Sequence, residues 1–315
     1  MADLRRDGRQ LFGGDAEREV SRGQVMLIAG FVLAVAFLAV AVMLNAVIYS
    51  ENLATRGEDA RGSEAIAYRA DVVDGAEQLI EYVNVEYASG SGTPFENRTA
   101  EFNRSVRSMY NSTALMQSTD GIATDVTVIG VTQGTFIGQF NASRNFTSAN
   151  GIEDWELAND TYGTRAFRIN ITEPGADDFV VSVTNGSDTW SAEIDGNSTN
   201  TTIDIDGAGS CTVGPTPEID LTAGTVDGSP CEALSFGENV SAPYSIKFED
   251  ANEVVGNFSL VVNSTSYDAT NYDSERDSPF ADDEAVYAAT LYLRHESPDH
   301  VYATEASVVP GENDA

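Results

Sequence analysis

The side chains in this sequence best placed for chemistry are asparagines. Thirteen stand in the Asn-x-Ser/Thr spacing that N-glycosylation requires: Asn97, Asn103, Asn111, Asn141, Asn145, Asn159, Asn170, Asn185, Asn197, Asn200, Asn239, Asn257 and Asn263. Composition alone predicts roughly three or four. Asn, Ser and Thr are common in the turns of β-rich chains, which explains part of the excess but not most of it. Glycosylation at several of these sites is expected, and it requires an outside face. Cys211 and Cys231 are the only cysteines. In an exported chain a lone pair reads as a disulfide, closing a loop of about 20 residues worth on the order of 3 kcal/mol. A metal pair is disfavoured because no histidine lies near either cysteine in sequence.

The remaining candidates are weaker. His295 and His300 flank Glu296-Ser297-Pro298-Asp299, a turn that cross-strand pairing turns into either a metal cluster or a polar hairpin tip. Asp204-Ile205-Asp206-Gly207 and Asp282-Asp283-Glu284 carry carboxylates suited to a cation, but lack the closing Glu of a calcium loop. With 50 acids in the chain such clusters arise freely. There is no Gly-x-Ser-x-Gly elbow and no phosphate-cradling glycine loop before a helix. The sequence therefore carries no enzyme signature, and no catalytic residue, metal site or cofactor is assigned.

The charge balance restricts partners. Lys+Arg total 17 against 50 Asp+Glu, a net charge of −33 over 315 residues, and Lys247 is the sole lysine. Such a surface repels nucleic acid. The acids are scattered rather than blocked, the pattern of a surface solvated in high salt with solvent cations as its commonest partners.

Residues Val25–Tyr49 are apolar and uncharged, about 25 residues or roughly 37 Å of helix against a ~30 Å hydrocarbon core. A transmembrane helix is expected there, with membrane lipid as its partner. Arg5, Arg6, Arg9, Arg18 and Arg22 precede it, which predicts a cytoplasmic N-terminus and an extracellular remainder: a single-pass protein of the cell membrane. Beyond it, the 3.6-residue periodicity predicts a helix over Glu51–Ala88, the Ser89–Pro94 turn, and a second helix over Phe95–Met116 folding back as an αα-hairpin.

From Asp120 the period changes to two. Strands are expected at Thr124–Val131, Thr135–Phe140, Ala166–Thr172, Phe179–Thr184, Thr189–Ile194, Thr201–Asp206, Tyr244–Phe248, Val254–Val262, Ala285–Arg294 and Val301–Val309. Asn185-Gly186 suits a type I′ hairpin, and Gly207–Pro230 reads as a stapled loop region. The predicted class is α+β: an N-terminal transmembrane helix extending into an αα-hairpin, followed by a mainly antiparallel β-sandwich-like domain. The expected divisions are a basic cytoplasmic leader (1–23), the transmembrane helix (24–49), an extracytoplasmic helical hairpin (50–118), a β-rich domain (119–309) and an acidic tail (310–315).

Ser21-Arg22-Gly23-Gln24, followed at once by the apolar run, resembles a class III, type IV prepilin-like signal. The resemblance implies cleavage between Gly23 and Gln24 and packing of the helix with other pilin-like subunits. Asn45–Arg56, NAVIYSENLATR, looks like a haloarchaeal pilin-like or pseudopilin-like group of uncharacterised function. The expected function is then a pilin-like structural or adhesion protein, membrane-anchored and extracytoplasmic, as a minor filament or pseudopilus subunit. The fifth position after the cut is Ile28 rather than the Glu of classical pilins. That departure favours the alternative, an uncleaved single-pass surface binding or envelope protein. An anchored metal-binding domain or enzyme is a third reading.

Overall fold

The computed structural model describes residues 64–88, 93–175, 177–298 and 300–311, together with Leu33, Phe37 and Val40. Ala65–Ala315 form one compact unit and Met1–Glu64 another. Two helices are described: α1 over residues 64–87 and α2 over Phe95–Ser118. The rest is mainly β, and every pairing between strands is antiparallel.

In chain order the strands are β1 (Ala123–Gln139), β2 (Trp155–Thr161), β3 (Thr164–Glu173), β4 (Phe179–Thr184), β5 (Thr189–Gly196), β6 (Thr201–Ile205) and β7 (Gly209–Val213). They continue with β8 (Glu218–Asp220), β9 (Thr225–Val226), β10 (Ser229–Pro230), β11 (Tyr244–Glu249), β12 (Val255–Val262), β13 (Phe280–Ser297) and β14 (His300–Val308). One sheet has eight strands in the order β10-β9-β8-β3-β12-β1-β13-β14; the other has six, β2-β11-β4-β5-β6-β7.

The two sheets close on each other over a common core. Ile137, Phe167, Ile169, Ile171, Phe258 and Leu260 come from the eight-stranded sheet; Phe179, Val181, Val183, Ala192, Ile203 and Phe248 come from the six-stranded one. Alternation explains the assignment, because every second residue of a strand faces the same side. Aromatic rings fill the centre: Phe248 meets Phe179 and Phe258 edge-on, each at 5.0 Å between centroids, the packing their quadrupoles favour.

β1 runs through two environments. It pairs with β13 along its length but with β12 only over Thr135–Gln139. At Gly134, where the second neighbour arrives, a Cβ would sit 2.6 Å from the Val262 carbonyl oxygen, so the close approach requires glycine. Before that point Ala123, Asp125, Thr127 and Ile129 are exposed on one face. The opposite face of this end of the sheet is covered by the helices. Val72, Val73, Ala76, Ile80 and Val83 of α1 and Phe102, Val106 and Tyr110 of α2 share a core with Val286, Leu291 and Leu293 of β13 and Ala306 and Val308 of β14.

This arrangement corrects the expected fold class. The helical stripes are not the seam of a freestanding αα-hairpin ahead of a separate β domain; they are buried against the sheet. Periodicity shows which face of a helix is apolar and is silent on what covers it. The transmembrane expectation is corrected as well. Among the described residues no helix is long and apolar enough to cross a membrane. The run over 24–49, apart from Leu33, Phe37 and Val40, lies outside the described residues, as does the 1–23 leader. The single-pass localisation built on that helix is withdrawn with it.

At strand level the agreement is closer. β4 begins and ends where its alternation predicts. Thr124–Val131 and Thr135–Phe140 prove to be one strand carrying three register shifts. β2 and β7–β10 were not expected as strands. β2 reads Trp-Glu-Leu-Ala-Asn-Asp-Thr, whose polar residues spoil the alternation. The β4–β5 connection is not a two-residue type I′ turn. Thr184 pairs with Thr189 across a four-residue loop. There the Asn185 Oδ1 accepts from the Ser187 and Asp188 amides at 2.9 and 2.8 Å, and Gly186 alone takes positive φ, +88°. An Asx turn has replaced the backbone turn.

Candidate functional site: acceptor asparagines and the ties between layers

The sites predicted from sequence do not converge on a single pocket, although Asn103 and Asn111 line one surface hollow and Asn159 and Asn185 another. They spread over the surface of both layers. α2 carries Asn97, Asn103 and Asn111; β2, β3 and β12 carry Asn159, Asn170 and Asn257; Asn263 follows β12. Asn141, Asn145, Asn185, Asn197, Asn200 and Asn239 lie in connections. None of the thirteen is buried. The described asparagines that are buried, Asn84 and Asn271, both stand outside the sequon pattern. Asn170 and Asn257 are direct cross-strand partners on the outer face of the eight-stranded sheet. Some acceptor nitrogens are engaged within the fold: Asn159 Nδ2 donates to Glu156 at 2.9 Å, and Asn197 Nδ2 to Asn200 Oδ1 at 2.8 Å.

Cys211 and Cys231 form a disulfide with Cα atoms 6.2 Å apart. Cys211 lies in β7, an edge of the six-stranded sheet, and Cys231 follows β10, an edge of the eight-stranded one. The bond therefore staples sheet to sheet. Gly23 and Gln24 lie outside the described residues.

The histidines separate. His295 is 2% exposed, on the helix-facing side of β13, with its ring 5.4 Å from that of Tyr68. Neither of its ring nitrogens has a hydrogen-bond partner. His300 starts β14 and is exposed. Strand alternation divides the acids in the same way. Asp282 is buried, while Thr135 Oγ1 donates to Asp283 and the Phe95 amide to Glu284. Among the described residues no group of three or more His, Cys, Asp or Glu is arranged to hold a metal ion.

Two ion-pair sets were invisible in the sequence. Arg98 of α2 pairs with Asp282 of β13, both side chains fully buried, and Arg98 also donates to the Tyr87 and Thr93 carbonyls at 3.0 and 3.1 Å. It ties both ends of the α1–α2 connection to the sheet. Arg168 of β3 holds Glu81 of α1 at 2.7 Å and Asp220 of β8 at 2.9 Å. Burial alone would lower the Arg168 pKa, but the two carboxylates outweigh it and raise it. No spacing signal links residues this far apart in sequence. Beside Arg168, a cleft lined by Asn84, Arg165, Tyr287 and Pro310 encloses about 20 Å³, room for roughly one water molecule.

A protein-family profile described as "Family of unknown function (DUF7261)" matches residues 19–130. The match covers α1, α2 and the one-side-exposed part of β1, less than half of the chain, and stops before the sandwich. No curated protein and no solved structure matches this chain. What the comparisons support is similarity of residues 19–130 to that family.

Proposed function

We propose that this protein is an extracytoplasmic, glycosylated structural or adhesion subunit of pilin-like type. The observation that carries the reading is that thirteen sequons fold without burying one acceptor asparagine, whereas two of the four described asparagines outside the pattern, Asn84 and Asn271, are buried. Glycans need exposed acceptors and an exported setting, and the sheet-to-sheet disulfide, which needs an oxidising compartment, is compatible with the same setting. The pilin-like part rests on Ser21-Arg22-Gly23-Gln24 and the apolar run after it.

Intact-mass measurement of the protein from its native cells tests both parts. The expected species begins at Gln24 and exceeds its polypeptide mass by several glycan units. A chain beginning at Met1 or Ala2 removes the pilin-like part, and a mass equal to the bare polypeptide removes the glycosylated extracytoplasmic part.

A further inference from the structure

The sheet edges in this fold differ in how well they are guarded. Unpaired backbone groups along an edge invite another strand, and folds deter this with short strands, proline, bulges or charge. β10 is two residues long and ends in Pro230. β7 opens at Gly209 with φ +120° and is pinned through Cys211. β2 holds Asp160 at φ +48°, shifts register against β11 and carries the acceptor Asn159. The free half of β1 carries two register shifts, and a third falls where β12 joins it.

β14 carries only one of these devices, a single charge. Over nine residues it matches β13 one for one, from Ala289↔Val308 to Ser297↔His300, with no shift. It contains no proline, no glycine and a single carboxylate, Glu305. No sequon lies in β1, β13 or β14. The face turned away from the helices presents Val301 at 56% exposure and Tyr292 at 37%, with Ala303, Arg294 and Glu305 between them.

We propose that β14 is a strand-addition edge for the β14 of a second copy, the two strands running antiparallel about a two-fold axis at Thr304. Charge selects that register. An axis at Glu305 sets two carboxylates directly opposite each other, which is destabilising. An axis at Ala303 sets Glu305 opposite Val301, whose neighbour on β13 is Glu296. An axis at Thr304 sets Glu305 opposite Ala303, whose neighbour on β13 is Arg294. Each Glu305 then faces an arginine two strands away, about 10 Å between backbones, across a methyl group small enough for the side chains to meet over it. Arg294 already holds Glu296 at 2.7 Å and is half exposed; its guanidinium has N–H groups for a second carboxylate. Two copies at −33 each repel, so the pairing needs salt, which shortens the screening length to about 3 Å at 1 M. The pairing requires only the strand edge and is independent of the proposed function.

Single cysteines at Tyr302, Ala303, Thr304, Glu305 and Ala306 in the full chain, oxidised mildly in about 2 M KCl, test the register. A two-fold axis at Thr304 brings only that residue against itself, within the Cα range a disulfide needs. The expected result is a covalent dimer from T304C in roughly tenfold excess over A303C or E305C. By sedimentation, R294E weakens the dimer about tenfold, and R294E with E305R restores it to within about threefold. Persistence of the Cys211–Cys231 bond confirms that each variant is folded. A monomer with no cross-link overturns the proposal. So does a dimer indifferent to R294E, which uses another surface, or a Thr304 cross-link to a different protein or to the chain's own N-terminal segment.

Discussion

The two ends of the eight-stranded sheet solve burial differently. Around β3 and β12 the sheet is covered by a second sheet, and the space between is filled by phenylalanines with a disulfide across the edges. Around β13 and β14 it is covered by two helices, with a mainly aliphatic core and one fully buried ion pair. β1 belongs to both, and its burial changes along its length from one exposed face to fully buried over Gly134–Gln139. The lesson is that a strand's own sequence decides which face is apolar, and its neighbours decide whether the other face is buried too.

The largest effect that separates the two ends is expected at Arg98. Arg98→Ala leaves Asp282 buried without its cation and should cost about 3–5 kcal/mol. Replacing the pair together, Arg98→Met with Asp282→Leu, should cost much less, because no charge is stranded. Urea unfolding of both variants checks this, and equal losses would show that the pair is not the tie. Next is the sandwich end. Cys211→Ser with Cys231→Ser should cost about 3 kcal/mol, mainly through the freer unfolded chain. Hydrogen exchange should then rise in β7–β10 before it rises in β13–β14.

A smaller loss is expected for Arg168→Ala. It joins α1 to β3 and β8, but its side chain is 39% exposed and its attraction is screened, so about 1 kcal/mol is expected, falling with added salt. The gentlest probe is alkali. Burial raises the Tyr272 pKa, and burial with Asp283 nearby pushes Tyr267 up to about 12. Both folded-state values lie above the unfolded value near 10. Their contribution to stability is therefore complete below pH ~10 and is lost as pH rises from there through the folded-state values. Tyr272 donates to the Leu157 carbonyl and packs on Trp155, so alkaline unfolding should report on the sandwich end. In Tyr272→Phe the loss of stability above pH 10 should be shallower; an unchanged slope would assign it elsewhere.

Legibility followed the range of the interaction. β4 and β5 could be read directly because Phe-Val-Val-Ser-Val-Thr alternates and Asn185-Gly186 interrupts it. The apolar faces of α1 and α2 could be read too, but their sheet partner could not, since Val72 meets β13 across some two hundred intervening residues. The sequence reads as two strands, Thr124–Val131 and Thr135–Phe140, broken at Thr132, Gln133 and Gly134; in the fold the strand runs on through them with shifts in its register against β13. Arg98 and Asp282 could be found in sequence only as two charges among many. Sequons are local, so all thirteen could be read; their exposure is tertiary, and only the fold could supply it.

The claim on which this account depends is that the sequon asparagines are displayed in an oxidising, extracytoplasmic setting. Glycopeptide mapping of the native protein without reduction tests it most directly. The account predicts glycan on several of the thirteen, none on Asn84 or Asn271, and a peptide linked through Cys211 and Cys231. Unmodified peptides at all thirteen positions, with both cysteines recovered as thiols, would contradict it.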